Sequence, residues 1–282
     1  MATLSSIQKE ITRNLVTNLG LSSRESLIEA RFILEYVLKK SYSQLYLYQS
    51  ISLLKSEELH IKNIIALRLK KKPLAYIFKE WDFYGETFYI DEHVLIPRQD
   101  TELLIDIVLN KYKKEIKMNI CDLGTGSGII GITLARHFNN SQVMLTDTSK
   151  EALIITKNNI NKFKLKNAEA YCGDWYHKLP KIQFDLIVSN PPYIDIDDPI
   201  LKTDDLQYEP KTALFSENKG YADIEMIVNN APNYLKEGGQ LIIEHGYNQS
   251  SQVKSIFVEA KFLSIKQHLD INSKIRVTSG LV

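Results

Sequence analysis

The segment Ser189-Asn-Pro-Pro-Tyr-Ile194 follows directly on the apolar run FDLIV (Phe184–Val188). Each proline fixes its own backbone angle and has no N–H to donate, and Pro191 also restricts Asn190 before it. The result is a stiff, extended stub that cannot pair further in a sheet. Asn190 offers an amide oxygen as acceptor, and the Pro191 carbonyl has no competing strand partner. Two acceptors pointing one way suit a planar NH2 group, as on a carboxamide or on an adenine or cytosine ring. Pro192 adds stiffness, and Tyr193 supplies a flat face for stacking. The plain alternative is a proline pair that only ends a strand.

A second stretch, CDLGTGSGIIG, crowds Gly124, Thr125, Gly126, Ser127 and Gly128 into the turn between a strand and a helix. Without side chains at the glycines, a ligand can lie against the backbone and take hydrogen bonds from the helix-start amides. Open α/β sheets bind ligands at this end of their strands. Gly126 to Gly131 also spells the dinucleotide fingerprint, with Asp147 about the expected distance downstream. Two ligands stay open on these residues: a nicotinamide or flavin dinucleotide, or S-adenosyl-L-methionine, whose ribose can use the same acid. The dinucleotide fits less well. Its first glycine should follow the strand at once, but that place belongs to Gly124, and counting from there Ile129 breaks the pattern.

Around these motifs the chain changes texture twice. Residues 1–80 have helical rhythm: Ser5 with Gln8 spells a capping box before Ile7, Ile11 and Leu15, and Ser22 with Glu25 spells another. The second helix should bury Leu27, Ala30, Leu34, Val37 and Leu38; a third, Ser56 to Lys72, should bury Leu59, Ile64, Ile65 and Leu69 until Pro73 stops it. Arg68 and Lys70–Lys72 read as a solvated basic end suited to the helix dipole, with contact to an acidic or nucleic-acid partner as the alternative. Residues 81–100, beginning WDFYGETFYI, read as a hairpin linker. From 101 to 282 strands alternate with helices, which argues for a mostly parallel sheet covered on both faces. FDLIVS is its fourth strand, so Asn190 should project from a carboxyl end beside the glycine turn.

The totals are those of a soluble globular protein: 282 residues, 44% hydrophobic, 24% charged and a net charge of +1. A near-neutral chain has no global pull toward nucleic acid or membrane. Cys121 and Cys172, both in apolar strands, read as buried reduced thiols, hence a reducing, cytoplasmic setting. No signal peptide or membrane-spanning run is evident, and none of the six histidines has metal-ligand or triad spacing.

Asn-Pro-Pro-Tyr after the fourth strand resembles the methyltransferases that use S-adenosyl-L-methionine to methylate planar NH2 groups. The resemblance covers nearly the whole chain. PLAYIFKEWDFYG, VLIPRQDTE, DLGTGSG, GDW, NPPYI, YEPKTAL and EHGYNQ occur in the order seen in the peptide chain release factor N5-glutamine methyltransferases, the PrmC/HemK family. That resemblance implies a Rossmann-like class I S-adenosylmethionine-dependent methyltransferase domain behind a small N-terminal helical bundle and a hairpin. It implies methyl transfer to the glutamine of the Gly-Gly-Gln motif of class I release factors. An already activated methyl needs no metal; no direct nucleic-acid or membrane partner is expected, and the enzyme is expected to be a monomer. Carried over by position, Gly124 to Gly128 lie under the methionine and ribose, Asp147 on the ribose hydroxyls, and Trp175 in the adenine pocket. Asn190 stands at the junction of cofactor and substrate, and Asn190, Pro191, Pro192 and Tyr193 form the substrate clamp. Two departures stand out: Gln99 replaces a usual proline in IPRQDTE, and DINSKIRV lacks the glycine common in the last hairpin.

Other residues invite plainer readings. Trp175 could be a core aromatic, Asp185 a carboxylate at a strand start, Asp174 a supporting group and His245 a structural hydrogen-bonder. Gly238-Gly-Gln240 reads as the turn before a strand, and Tyr208, Glu209 and Pro210 as a loop that could order over the substrate. The competing functions are a nucleic-acid amino-methyltransferase, which would need a basic face and base flipping, an adenine-nucleotide-binding module and an NAD-dependent oxidoreductase.

Overall fold

The computed structural model describes residues 3–47, 52–198 and 206–282. The chain divides into two units, one reaching to Lys79 and the other spanning Glu80–Val282.

The first unit contains α1 (Leu4–Leu19), α2 (Ser23–Leu38), α3 (Tyr42–Leu47), α4 (Lys55–Arg68) and α5 (Leu74–Phe78). The start of α1 is capped by Thr3, whose hydroxyl accepts from the Ser6 amide at 3.3 Å, rather than by a Ser5–Gln8 box. Both bonds of the Ser22–Glu25 box form. Ile7, Ile11 and Leu15 are buried with Ala30, Ile33, Leu34, Ile61 and Ile64, whereas Leu27 (48% exposed) and Leu59 (61%) face solvent. Hydropathy offers α2 and α4 wide apolar stripes, and contact with neighbouring helices selects which part is covered. Arg68 is buried, not solvated: its guanidinium grips Glu29 through two bonds of 2.8 and 3.0 Å. The helices α3 and α5 are too short for a periodic signal; α4 ends at Arg68, short of Lys72, as Lys71 turns with φ +67°, so Pro73 does not stop it but opens α5.

The second unit begins with the hairpin of β1 (Glu80–Phe83) and β2 (Glu86–Tyr89), closed by Tyr84 and Gly85 at φ +49° and +76°. Positive φ at both turn residues matches the twist of the strands. Expected as a linker, the hairpin instead packs Phe83 and Phe88 into this unit's own core. Then come α6 (Glu102–Lys111), β3 (Asn119–Leu123), α7 (Ile129–His137), β4 (Gln142–Asp147), α8 (Lys150–Lys162), β5 (Ala168–Cys172) and β6 (Phe184–Ser189). A short turn α9 (Glu217–Gly220), α10 (Ala222–Asn230), β7 (Leu235–Glu244), α11 (Ser250–Glu259), β8 (Leu263–Leu269) and β9 (Ile275–Leu281) complete it.

The seven strands from β3 onward form one sheet in the order β5-β4-β3-β6-β7-β9-β8, parallel through β7 and antiparallel beyond. Central strands β3, β6 and β7 are buried almost throughout, as strands covered on both faces must be. Cys121 on β3 is buried, but Cys172 is exposed, because β5 is an edge strand. The β8–β9 turn does without glycine. Ser273 takes φ +59°, and Asp270 Oδ1 accepts the amides of Asn272 and Lys274, each at 2.8 Å.

Candidate active site

The glycine turn and the proline stub leave adjacent parallel strands at the same level: Leu123 of β3 pairs with Ser189 of β6, and Ser189 Oγ donates to the Leu123 carbonyl at 2.8 Å. The strand order reverses here, with β4 on one side of β3 and β6 on the other, which is where doubly wound sheets open a ligand crevice.

The turn is held by bonds to its backbone. Gly124, Gly126 and Gly128 take φ of +68°, +56° and +86°, a region side chains resist. Asp147 at the end of β4 accepts the amides of Gly126 and Ser149, both at 2.9 Å. From α8, Thr156 donates to the Gly126 carbonyl at 2.7 Å, and Asn159 donates to the Ser127 carbonyl at 2.8 Å. Asn159 also bonds both backbone groups of Tyr89, tying the hairpin to the turn. Beneath, buried Asp122 accepts from Thr125 Oγ1 and the Gly131 amide. Burial pushes the Asp122 carboxyl up to about 7 against those bonds; burial raises Asp147 too, opposed by the Ser149 and Gly126 amides.

One open cleft runs past both segments. Gly124, Thr125, Gly126, Ser127, Asp147, Trp175, Asn190 and Pro192 line it; Gly128, Pro191 and Tyr193 are not among its lining residues. A Cβ on Gly126 would meet nothing within 4 Å, so the backbone there presents an open face, whereas one on Gly124 would lie 3.1 Å from the Trp175 ring. The charged groups on the described walls are Asp147, Asp174, Asp223 and, if protonated, His93; no lysine or arginine lines them. Such a wall would repel the diphosphate of a dinucleotide and suits a positively charged sulfonium. The residues therefore fit S-adenosyl-L-methionine: bare turn amides, a carboxylate with lone pairs to spare for hydroxyls, and an aromatic ring. Trp175 itself stands at φ +45° and bonds Asp223.

The stub is held differently. Asn190 Nδ2 donates to Thr101 Oγ1 at 3.1 Å. Tyr193 packs against the second core cluster with its hydroxyl 3.4 Å from Glu244 Oε1, so the expected stacking face serves as an anchor. Burial, then the Glu244 charge, push its phenol up. Past the prolines the chain does pair once more, Ile194 forming a lone parallel bridge with Phe215.

Sequence reasoning passed over Thr101, Asn159 and Glu244, and left Glu209 a loose loop residue. Glu209 is buried, accepting from the Ile96 amide at 3.1 Å and from Arg98, which fastens two segments that both contribute to the cleft. The VLIPR and YEP motifs were its signal, but their meeting needed the fold. His245 is structural: its ring bonds the Gly246 carbonyl and Thr278, and burial lowers its pKa. Asp185 accepts from the Asn119 amide and Lys236, and Gln240 from Lys111 and Tyr112. Among the described residues no helix is long and apolar enough to cross a membrane.

This sheet order and cleft define a Rossmann-like class I S-adenosylmethionine-dependent methyltransferase. Residues 99–202 match the family model "Methyltransferase small domain" and residues 17–78 match "PrmC N-terminal domain". The fold is shared with a methyltransferase from Pyrococcus furiosus (TM-score 0.54, 16% identity, 78% of this chain and 98% of that one). It is shared too with a T. thermophilus 16S rRNA methyltransferase in complex with AdoMet and guanosine (TM-score 0.52, 19% identity, 72% and 49%). The chain is 35% identical to the release factor glutamine methyltransferase of Coxiella burnetii over 93% of its own length and 94% of that protein. It is also 35% identical to a bifunctional methyltransferase of Rickettsia bellii, of which it spans about half, 54%. The chain belongs to the release factor glutamine methyltransferase family.

Proposed function

We propose that this chain methylates the side-chain nitrogen of the glutamine in the Gly-Gly-Gln motif of class I peptide chain release factors, using Asn190 as the residue that grips the substrate amide. When bound, S-adenosyl-L-methionine supplies a methyl group already activated by its positive sulfur. The turn from Gly124 to Gly128 and Asp147 would hold it, with Trp175 beside the adenine. The protein's task is then the nucleophile, whose lone pair is shared with its carbonyl.

Asn190 Oδ1 and the Pro191 carbonyl accept the two N–H bonds of the substrate amide and aim its nitrogen along the line of transfer. On a neutral amide each bond contributes about 0.5–1.5 kcal/mol net. The bonds strengthen as positive charge grows on nitrogen, so they favour the transition state. Alignment contributes more, about 7–11 kcal/mol when the geometry is good. The prolines limit the entropy still to be lost on ordering. The methylated nitrogen sheds its extra proton without a dedicated base.

The observation that carries this reading is that Asn190 lines the same cleft as Gly124–Ser127 while its Nδ2 is occupied by Thr101, leaving Oδ1 for the ligand. The test is mass spectrometry of a class I release factor after incubation with enzyme and cofactor. A single methyl on the Gly-Gly-Gln glutamine is expected; methyl transfer to DNA or RNA with an untouched release factor would reject the assignment. The units bounded near Lys79 are read as a substrate-recognition bundle and a catalytic domain.

A further inference from the structure

Three segments distant in sequence line the cleft and are tied to one another in a closed ring. Residues 94–101 are joined to the proline stub by the bond from Asn190 Nδ2 to Thr101 Oγ1. The stub is joined to residues 209–216 by two backbone bonds. The Ile194 amide donates to the Leu214 carbonyl at 3.0 Å, and the Ser216 amide donates to the Ile194 carbonyl at 3.1 Å. Glu209 completes the circuit, its Oε2 accepting from the Ile96 amide at 3.1 Å and its Oε1 from Arg98. We propose that Glu209 is a positioning residue that closes this ring and so keeps the cleft shaped for the substrate's glutamine side chain before it arrives.

Two of the three segments are stiff by themselves. Prolines fix the stub, and residues 210–215 coil in a tight turn, with the Ala213, Leu214 and Phe215 amides donating back to Pro210 and Lys211. Residues 94–98 lie in no strand or helix, so their place depends on what they touch. Val94 and Ile96 are buried, but apolar burial is non-directional and does not fix how the strip slides or turns. Two oxygens of one carboxylate, meeting an amide and a guanidinium two residues apart, fix both. A buried carboxylate is costly unless paired and hydrogen-bonded. Glu209 is both, its side chain 2% exposed against Arg98 at 41%. A glutamine there has a single acceptor oxygen and would set its NH2 against the guanidinium.

None of the lining residues that the ring supplies is charged. Apart from Asn190, it meets a ligand chiefly by shape. A wall that acts by shape must be in place beforehand, because otherwise its ordering is charged against substrate binding. The glycine bend is held by a separate set of bonds, from Asp147, Thr156 and Asn159, so cofactor binding does not depend on the ring.

This inference rests on the reading of Asn190 as the grip on the release-factor glutamine, so its first test uses the free enzyme. In Glu209→Ala, amide hydrogen exchange should quicken at Ile96, whose acceptor is gone, and also across the ring at Ile194 and Ser216. Residues 124–128 should stay as protected as in the wild type. In methylation assays the KM for the release factor should rise about tenfold, the scale of ordering a loosened wall on binding. The kcat at saturation and the calorimetric Kd for S-adenosyl-L-methionine should change far less. A folding defect alone would do the reverse, lowering kcat through the competent fraction and leaving KM in place. Arg98→Met, in which a half-exposed side chain is replaced, carries the same readouts should Glu209→Ala fail to fold. Combined with Glu209→Gln it should be no worse than alone, since the two groups form one link. Unchanged exchange at Ile194 and Ser216, or a loss of kcat at unchanged KM, overturns the proposal. Absence of any methylated release factor with the wild-type enzyme, while exchange responds as expected, would instead strike the functional reading and leave the ring standing.

Discussion

The two walls of the cleft are held in place by opposite means. The glycine bend is fixed through its backbone: Asp147, Thr156 and Asn159 each bond an amide or carbonyl of Gly126 or Ser127, and the glycines supply the φ values no other residue takes cheaply. The proline stub has a backbone stiffened by its own residues, but the Asn190 side chain it carries is held by a single bond to Thr101, 89 positions away. A ligand cradle built from backbone tolerates change in its neighbours better than a hydrogen-bond donor or acceptor that must point one way. Binding should therefore reside mainly in the first wall and turnover in the second.

The largest effect should come from Asn190→Ala. Loss of an aligned polar group at a developing charge costs about 10²–10³-fold in kcat. Calorimetric affinity for S-adenosyl-L-methionine should stay close to wild type; unchanged turnover would end the case for the clamp. Next in size is Gly126→Val. A branched residue forced to φ +56° costs about 1–3 kcal/mol, and its side chain enters open space on the ligand's side of the turn. The cofactor Kd should rise about tenfold or more, with kcat at saturating cofactor altered far less. A variant that lost kcat while keeping affinity would erase the division of labour.

Asn159→Leu probes the tie between hairpin, α8 and bend. Leaving the buried Ser127 carbonyl unpaired and the part-buried backbone of Tyr89 without its partner should cost about 1–3 kcal/mol in urea unfolding, with cofactor affinity reduced in parallel. Smallest is a pH effect on stability. Asp122 and Glu244 titrate near 7 in the folded chain, above the carboxylates of an unfolded one, so the folded state retains protons the unfolded state releases. The stabilisation from these two groups is full below about pH 4 and is lost as pH rises through about 7. Asp122→Asn and Glu244→Gln should each flatten that decline; a decline equally steep in both would locate its cause elsewhere.

Much of this could be read from residue order alone. The bend, the stub and Asp147 were legible because their chemistry lies in residue types at short spacing: glycines at a strand end, prolines after an amide, an acid at the next strand's tip. The alternation of strand and helix put both segments at one end of the sheet. Errors came where burial depends on neighbours. Leu27, Leu59 and Cys172 have the hydropathy of core residues yet are exposed, and Arg68 has the charge of a surface residue yet is buried against Glu29. Tyr193 was read as a ligand face and is an anchor.

By itself, then, the sequence determined the backbone of the site, because glycine and proline act on φ wherever they stand. Tertiary structure alone decided the polarity of the site. Thr101, Glu209 and Glu244 matter for the partners they meet across the fold, and a hydrogen bond has a direction only once both of its ends are in place.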